Sequence, residues 1–386
     1  MNIIHIVRGD FSPNSLNGVY RVIDCLSVDL RNHIGGGKIT VCSVYRGSHE
    51  PIYQSEYYNH VQFDEHPLRF FLDGKFKNFL LSQSKDTVFH FHSVFIPWFL
   101  PAVKLLKSHG FERVVLTPHG QYVDEAMKRS LKKRIFFRFF DRNVLRTVDA
   151  VQMIGHTEEN EYINANAKES YLIPNGCDVL DIAPKDKKEL VFGYLGRLEI
   201  AQKGVDTMVQ AFGFYRKQGG KGILRIAGDG ADKAQLHALC TDMGIEKEVE
   251  FVGKVFGEDK WKYLQSFTWF LHPSHWEGIP TACLEAASCG VPLIVSTATN
   301  MDSYLEQFHS GLVMRSDGRP VQALADLLFE AENIFSDEKE YQKYVDNSLK
   351  MIATKLNWNY IAEEVLSKLY KGIKSVSYTH LRAHET

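Results

Sequence analysis

The sequence predicts an α/β protein of two domains, each a doubly wound parallel sheet. Three observations lead there. The chain has 386 residues, more than one hydrophobic core comfortably serves. Short apolar runs of strand length alternate with stretches of helical periodicity from end to end. That alternation breaks once, at the turn Ile173-Pro174-Asn175-Gly176 and the charged stretch 181–189, and then restarts.

Residues 2–7 are an apolar run of strand length, and 18–30 follow with Val19, Val22, Ile23, Leu26 and Leu30 at helical spacing. Residues 38–44 alternate as a strand, and 87–92, 113–117 and 150–154 are further strands with helical stretches between. The second domain restarts with strands at 190–195, 222–227, 249–252, 269–272 and 291–295. Its helices fall at 204–217, 232–243, 259–266 and 281–288, with two more within 321–349. The boundaries expected are 1–178 and 179–355, with 356–374 crossing back to the first domain. The polar, aperiodic tail 375–386 reads as non-native or disordered and stands outside the functional argument.

Composition excludes several classes. A formal net charge of -2 gives no overall attraction to nucleic acid. The cysteines form no Cys-x-x-Cys or His/Cys metal spacing, which points to reduced thiols. The N-terminus lacks a basic leader and a cleavage site, and there is no apolar run of about 18 residues that could span a bilayer. The expectation is a cytoplasmic protein. No Gly-x-Gly-x-x-Gly indicates a dinucleotide cofactor. No Asp-x-Asp offers a metal a grip on a diphosphate, so no metal is expected.

The densest chemistry lies in His275-Trp276-Glu277-Gly278-Ile279-Pro280-Thr281-Ala282-Cys283-Leu284-Glu285. Glu277 falls in a loop after a strand, and Glu285 inside a helix that Pro280 or Thr281 starts. The rise from Pro280 to Glu285 is roughly 7–8 Å, so one ligand can touch both the helix start and Glu285. Free amides and the positive dipole end there suit a diphosphate. The carboxylates suit hydroxyls. Gly196-Arg197-Leu198 and Lys203-Gly204 add two cations at a strand end, where Arg grips phosphate bidentately. Asn14-Ser15-Leu16-Asn17-Gly18-Val19 follows the first strand, with a glycine that lets amides approach an anion. His119, in Thr117-Pro118-His119-Gly120, stands at another strand end, as do His90 and His92. Taken singly, each has a plain reading: solvent-facing acids, surface cations, an ordinary turn, core histidines.

Together these motifs resemble the family-4-type retaining glycosyltransferases (glycosyl transferases group 1) of the GT-B fold, from Met1 to about Tyr370. Glu277 and Glu285, followed by Ala286-Ala287-Ser288-Cys289-Gly290-Val291-Pro292, carry the resemblance most specifically. The stretch from Gly196 to Asp206 comes next. Ile173-Pro174-Asn175-Gly176 and Ile226-Ala227-Gly228-Asp229-Gly230 support it. The resemblance implies two Rossmann-like domains facing across a cleft. It implies a nucleotide-sugar donor whose diphosphate is held by Arg197 and Lys203, ribose by Glu285 and transferred sugar by Glu277. Gly278, Ile279, Pro280 and Thr281 would line the donor site, Gly18 would bring amides from the first domain, and Lys254 and Val255 would lie near the base. Catalysis would involve His119, Arg197, Lys203 and Glu277. The anomeric configuration would be retained by front-face displacement, without a metal. Two departures stand out: Asn17-Gly18 where the family often has Gly-Gly, and a spacing from Leu198 to Lys203 one residue longer than usual.

Residues 127–146 carry Lys128, Arg129, Lys132, Lys133, Arg134, Arg138, Arg142 and Arg146 against Asp141, interleaved with Ile135, Phe136, Phe137, Phe139 and Phe140. Such a helix suits an anionic membrane surface. It equally suits a core helix with a solvated basic face. Without a base-stacking fold, nucleic acid is not indicated. Membrane docking fits a glycan or lipid-linked acceptor in cell-surface polysaccharide or lipopolysaccharide assembly. The alternatives are a nucleotide-sugar epimerase and a non-catalytic sugar-nucleotide-binding subunit.

Overall fold

A computed structural model describes residues 1–13, 17–47, 52–123, 127–128, 130–180 and 187–370. Residues 14–16 of the first glycine loop, Arg129, most of the charged stretch after the first domain and the tail 375–386 lie outside the described residues.

Strands β1 to β7 are Ile3–Arg8, Ile39–Tyr45, Asn59–Asp64, Val88–His92, Arg113–Thr117, Ala150–Met153 and Ser170–Leu172. They form one parallel sheet ordered β3-β2-β1-β4-β5-β6-β7. Strands β8 to β13 are Val191–Leu195, Ile223–Ala227, Val249–Gly253, Trp269–His272, Leu293–Ser296 and Gly311–Met314. They form the second, ordered β10-β9-β8-β11-β12-β13 and again parallel. Each order reverses beside its first strand, between β1 and β4 and between β8 and β11. Such a reversal opens a crevice at the carboxyl ends of the strands. β3, β7 and β13 go unread in the sequence: all three are edge strands, and β7 and β13 have only three and four residues.

Both sheets are buried on both faces, as crossover helices require. In β1, Ile4 and Ile6 join one core cluster while Ile3 and Val7 join another across the sheet. In β8, Phe192 and Tyr194 face one core and Val191 the other. Helices Pro320–Ser336 and Glu338–Lys355 are separated at Asp337, whose carboxylate caps the second through the amides of Lys339 and Glu340.

The chain then returns. Cys177 and Asn357 form a parallel bridge, and the Cys177 amide donates to Leu356 O at 2.8 Å. Helix Trp358–Glu364 lies against helix Gly18–His33, and the π-helical turn that continues it, Val365–Leu369, lies against β6. Their Ile361, Val365 and Leu369 share a core with Ile3 and Ile23 of the first domain.

Candidate active site

The carboxyl edges of the two sheets face each other across a cleft of about 420 Å³. Gly18, His119 and Ile154 line it from the first domain, and Arg197, Lys203 and Glu277 from the second. Arg197 follows β8 and Glu277 follows β11, so both stand at the switch crevice of their sheet.

Glu277 is held on all sides. Its amide donates to Ala298 O at 3.0 Å, and the neighbouring His275 amide to Gln202 O at 2.7 Å. Its Oε1 accepts from Lys203 Nζ, from Ser274 Oγ at 3.0 Å and from His272 Nε2 at 3.3 Å. Burial alone would push its carboxyl up. The His272 hydrogen bond and the Lys203 charge outweigh that and hold it down to about 2. Lys203 ends a short helical turn, Ile200–Lys203, and Gly204 at φ 59° reverses the chain into helix Val205–Lys217. A Cβ on Gly204 would lie 2.4 Å from Pro273 O, so only glycine lets this turn approach the β11 loop. Arg197 is more exposed, with its guanidinium on Glu199 Oε2 and Gln202 Oε1, each at 2.9 Å.

Helix Thr281–Ser288 begins at Thr281, and Pro280 is its cap rather than its first residue. A proline cap offers no side-chain acceptor, so the Thr281 and Ala282 amides face the cleft uncapped. One turn on, Glu285 lies in a side pocket of about 40 Å³ that shares Gly18 and Thr281 with the cleft. Its Oε1 accepts from Lys260 Nζ at 2.8 Å and from Arg21 NH1 at 3.2 Å, one cation from each domain. Both site carboxylates thus commit Oε1 to cations, and neither Oε2 hydrogen-bonds a described residue.

The two cleft glycines serve different ends. A Cβ on Gly278 would strike Ile154 Cδ1 at 2.4 Å, so glycine is required there for the domains to meet. A Cβ on Gly18 would meet nothing within 4 Å and would only fill ligand space. Beside it, Asn17 Oδ1 already caps the Val19 amide at 3.0 Å. Asn17 therefore withholds one amide from any anion.

On the first-domain side, His119 adopts φ 58° and Gly120 φ 74°, an uncommon pair that turns the imidazole toward the cleft. Behind it runs a buried histidine chain. His119 Nε2 meets His92 Nδ1 at 3.0 Å, and His92 Nε2 meets His5 Nδ1 at 2.9 Å. The far His5 Nε2 is buried without a partner. His90 sits alongside with a fixed tautomer. Thr117 Oγ1 donates to Gln152 Oε1 at 2.7 Å, so His90 Nε2 must donate to Thr117 at 2.6 Å, and its Nδ1 accepts from Tyr370 at 2.7 Å. Burial drives His5 and His119 down to about 3 and His90 and His92 well below their ordinary value. All four are neutral at pH 7, and His119 meets a ligand as a neutral hydrogen-bonding group.

Sequence reasoning missed the residue that joins the domains here. Asn300, at φ 58°, donates from Nδ2 to Glu277 O at 3.0 Å and Gly278 O at 2.8 Å. Its Oδ1 accepts the Thr157 amide of the first domain at 3.1 Å. Gly155 leaves room for it, since a Cβ there would lie 2.4 Å from the Asn300 side chain. The one legible signal was an asparagine after a strand, a residue that tolerates the left-handed region. Arg21, Lys260, His272 and His5 were missed as well. Val255 follows β10 and is not among the residues lining the cleft, and Lys254 pairs instead with Asp229 at 3.4 Å.

The arrangement suits a ligand with an anionic centre, held by two cations and the start of a helix, and hydroxyl-bearing ends held by two carboxylates. Residues 180–351 match the family of glycosyl transferases group 1. A lipopolysaccharide 1,6-galactosyltransferase from Salmonella typhimurium is 28% identical over 193 residues, 49% of this chain and 52% of that protein. The chain spans about half the length of the curated relatives it matches. Among solved structures, a sucrose-phosphate synthase from Thermosynechococcus elongatus superposes with a TM-score of 0.72 at 19% identity, covering 98% of this chain and 100% of that one. HepE from Anabaena, solved with UDP and glucose, gives 0.67 at 15% identity, covering 96% and 99%. The fold is therefore GT-B: two Rossmann-like domains about a cleft.

Proposed function

We propose, from the match of residues 180–351 to the glycosyl transferases group 1, that the protein transfers a hexose from a nucleoside diphosphate sugar to a glycan or lipid-linked acceptor. One observation carries the reading. A cation-backed carboxylate (Glu277 on Lys203) lines the cleft, a second carboxylate (Glu285) lines the side pocket, and an uncapped helix start (Thr281) lines both, the order in which a donor presents its parts.

In this reading Arg197, Lys203 and the Thr281 and Ala282 amides hold the diphosphate. Glu285 Oε2 accepts the ribose hydroxyls and Glu277 Oε2 those of the sugar. The bond from the anomeric carbon to the phosphate oxygen breaks as the bond to the acceptor oxygen forms on the same face. The acceptor proton passes to the departing phosphate oxygen. Charge that builds on that oxygen is met by cations already in place, the arrangement that lowers barriers most. Those cations take the part a metal would play. Neutral His119 donates to or accepts from a sugar hydroxyl. The Salmonella relative, a lipopolysaccharide galactosyltransferase, and the basic-aromatic helix support work at a membrane surface in cell-envelope glycan assembly.

The test is a thermal-shift titration with UDP, GDP, ADP and their sugar conjugates in the presence of EDTA. A ligand at about 100 times its Kd stabilises by roughly 2.7 kcal/mol. One nucleotide should stabilise the wild type without metal, and Glu285→Ala and Lys203→Ala should lose the effect. NMR of the product should show the donor's anomeric configuration. An inverted product, or no nucleotide binding, would sink the proposal.

A further inference from the structure

We infer that a second, arginine-lined pocket on the first domain binds the phosphate of a membrane-embedded acceptor, an amphiphile whose apolar chain leaves across an exposed aromatic face beside it. This rests on the transferase reading and names the acceptor class it leaves open.

The pocket, of about 410 Å³, opens at the carboxyl edge of β1, β2 and β4 and is lined by Arg8, Arg46, Arg69, Glu65, Ser93 and Phe95 among others. Its single carboxylate is already taken: Arg8 Nε and NH2 grip the Glu65 oxygens at 2.8 and 3.2 Å. Arg46 and Arg69 are exposed and make no ion pair or hydrogen bond to a described residue. Two guanidiniums without a counter-charge among the described residues, in one concavity, favour a phosphate or diphosphate over a neutral sugar. The volume is that of a small-ligand site. Ser93 and Phe95 hold φ of 75° and 59°, strain of the kind that gathers at binding sites.

The pocket adjoins the donor cleft. Ser93 directly follows His92, whose ring meets His119 at the cleft wall. It also adjoins an apolar surface. Phe95 packs on Phe136 (6.0 Å between centroids), Phe136 on Phe140 (4.9 Å) and Phe140 on Phe70 (4.9 Å). From there Leu68, Phe70, Phe71, Leu131, Ile135 and Phe139 all project into solvent. Leu131, Ile135 and Phe139 recur at four-residue spacing, 67%, 50% and 60% exposed, with Lys132, Arg134 and Arg138 exposed beside them. A helix whose only task was core packing would turn that stripe inward. Here Phe137 packs on Tyr122 inside (5.2 Å), and the stripe faces out. Exposed apolar side chains flanked by cations are the chemistry of an anionic membrane interface. A phosphate in the pocket would thus sit between the bilayer and the cleft, with the sugar to be extended pointing at the donor.

The experiment is flotation of the full chain with three vesicle types: phosphatidylcholine alone, phosphatidylcholine doped with a polyprenyl phosphate, and phosphatidylcholine doped to equal charge with phosphatidylglycerol. Inorganic pyrophosphate serves as competitor. Arg46→Ala/Arg69→Ala removes exposed side chains without partners among the described residues, so the fold should persist. Binding should be strongest with polyprenyl phosphate, fall about tenfold or more in the double variant, and be competed by pyrophosphate. Ile135→Asp/Phe139→Asp should lose vesicle binding while keeping pyrophosphate binding. Equal binding of wild type and double variant, or equal binding to the phosphatidylglycerol vesicles, overturns the inference. The nucleotide titration in the same double variant separates the two ideas. Retained nucleotide binding with unchanged vesicle binding sinks the phosphate pocket alone. A wild type that binds no nucleotide sinks the transferase reading.

Discussion

The two sheets share a strand order around their switch points, yet they equip the same edge with opposite chemistry. The edge of the second domain is ionic. Glu277 leans on Lys203 and Glu285 on Lys260, each carboxylate with one oxygen on a cation. The cleft edge of the first is neutral: His119, His92, His5 and His90 are all deprotonated by burial. Fixed charge suits a ligand part whose charge grows during reaction, because the stabilising groups are oriented before it develops. Neutral imidazoles suit hydroxyls, which need direction more than field. The difference teaches that the shared architecture supplies a crevice, and the side chains at each rim divide the labour within it.

The sharpest break of this comparison is Lys203→Ala. It leaves the largely buried Glu277 carboxylate with Ser274 and His272 but no cation, and it removes a cation proposed to hold the phosphate. Transfer activity should fall about 10²–10³-fold, read as kcat/KM. A loss below about tenfold would mean the ionic rim is not where charge develops. Next comes Glu285→Gln, which should weaken nucleotide binding by about 10–100-fold, the scale of hydrogen bonds to a charged group. Nucleotide and nucleotide-sugar should lose affinity alike in a calorimetric titration. Glu277→Gln should instead weaken the sugar conjugate more than the bare nucleotide.

The neutral rim is tested by pH. His5 stays unprotonated in the fold down to about 3, against an ordinary 6.5. The unfolded chain takes up that proton first. Stability is therefore full above pH 6.5 and drains as pH falls from 6.5 toward 3. At pH 5 the single group should cost about 2 kcal/mol. Urea melts of wild type and His5→Gln at pH 7 and pH 5 should show a shallower loss in the variant. Parallel losses would mean that His5 can be charged in place. The smallest effect is expected of Val255→Ala. Because Val255 is not among the cleft-lining residues, nucleotide affinity should change by less than about 0.5 kcal/mol. A larger change would move the base toward β10.

The ionic rim was the legible one. Glu277, Arg197, Lys203 and Glu285 sit within motifs of fixed spacing, because one loop and one helix start set their geometry locally. Their partners were not legible. Arg21 and Lys260 reach Glu285 from two domains, and Asn300 joins loops far apart in sequence. The histidine chain depends on register: His5 pairs opposite His90 across β1 and β4, and His92 is two residues on, on the same face. No local pattern encodes such a pairing. Two edge strands escaped for simpler reasons. Asn59–Asp64 reads Asn-His-Val-Gln-Phe-Asp, and Ser170–Leu172 has three residues, too few for a period.

The chain crosses between domains at Cys177 and again at Asn357, and the two crossings are bridged to each other. Two ropes knotted together at one point make a different joint from two ropes apart. Sliding or twisting one domain past the other would shear the knot, whereas tilting about it bends only a few backbone torsions. Any opening of the cleft would therefore pivot at this bridge, as a pair of jaws does. Jaws with one pivot move farthest at the lip and least beside the hinge. A ligand can enter and leave at the wide end while the groups nearest the pivot, Gly18 and Glu285 among them, barely change their spacing.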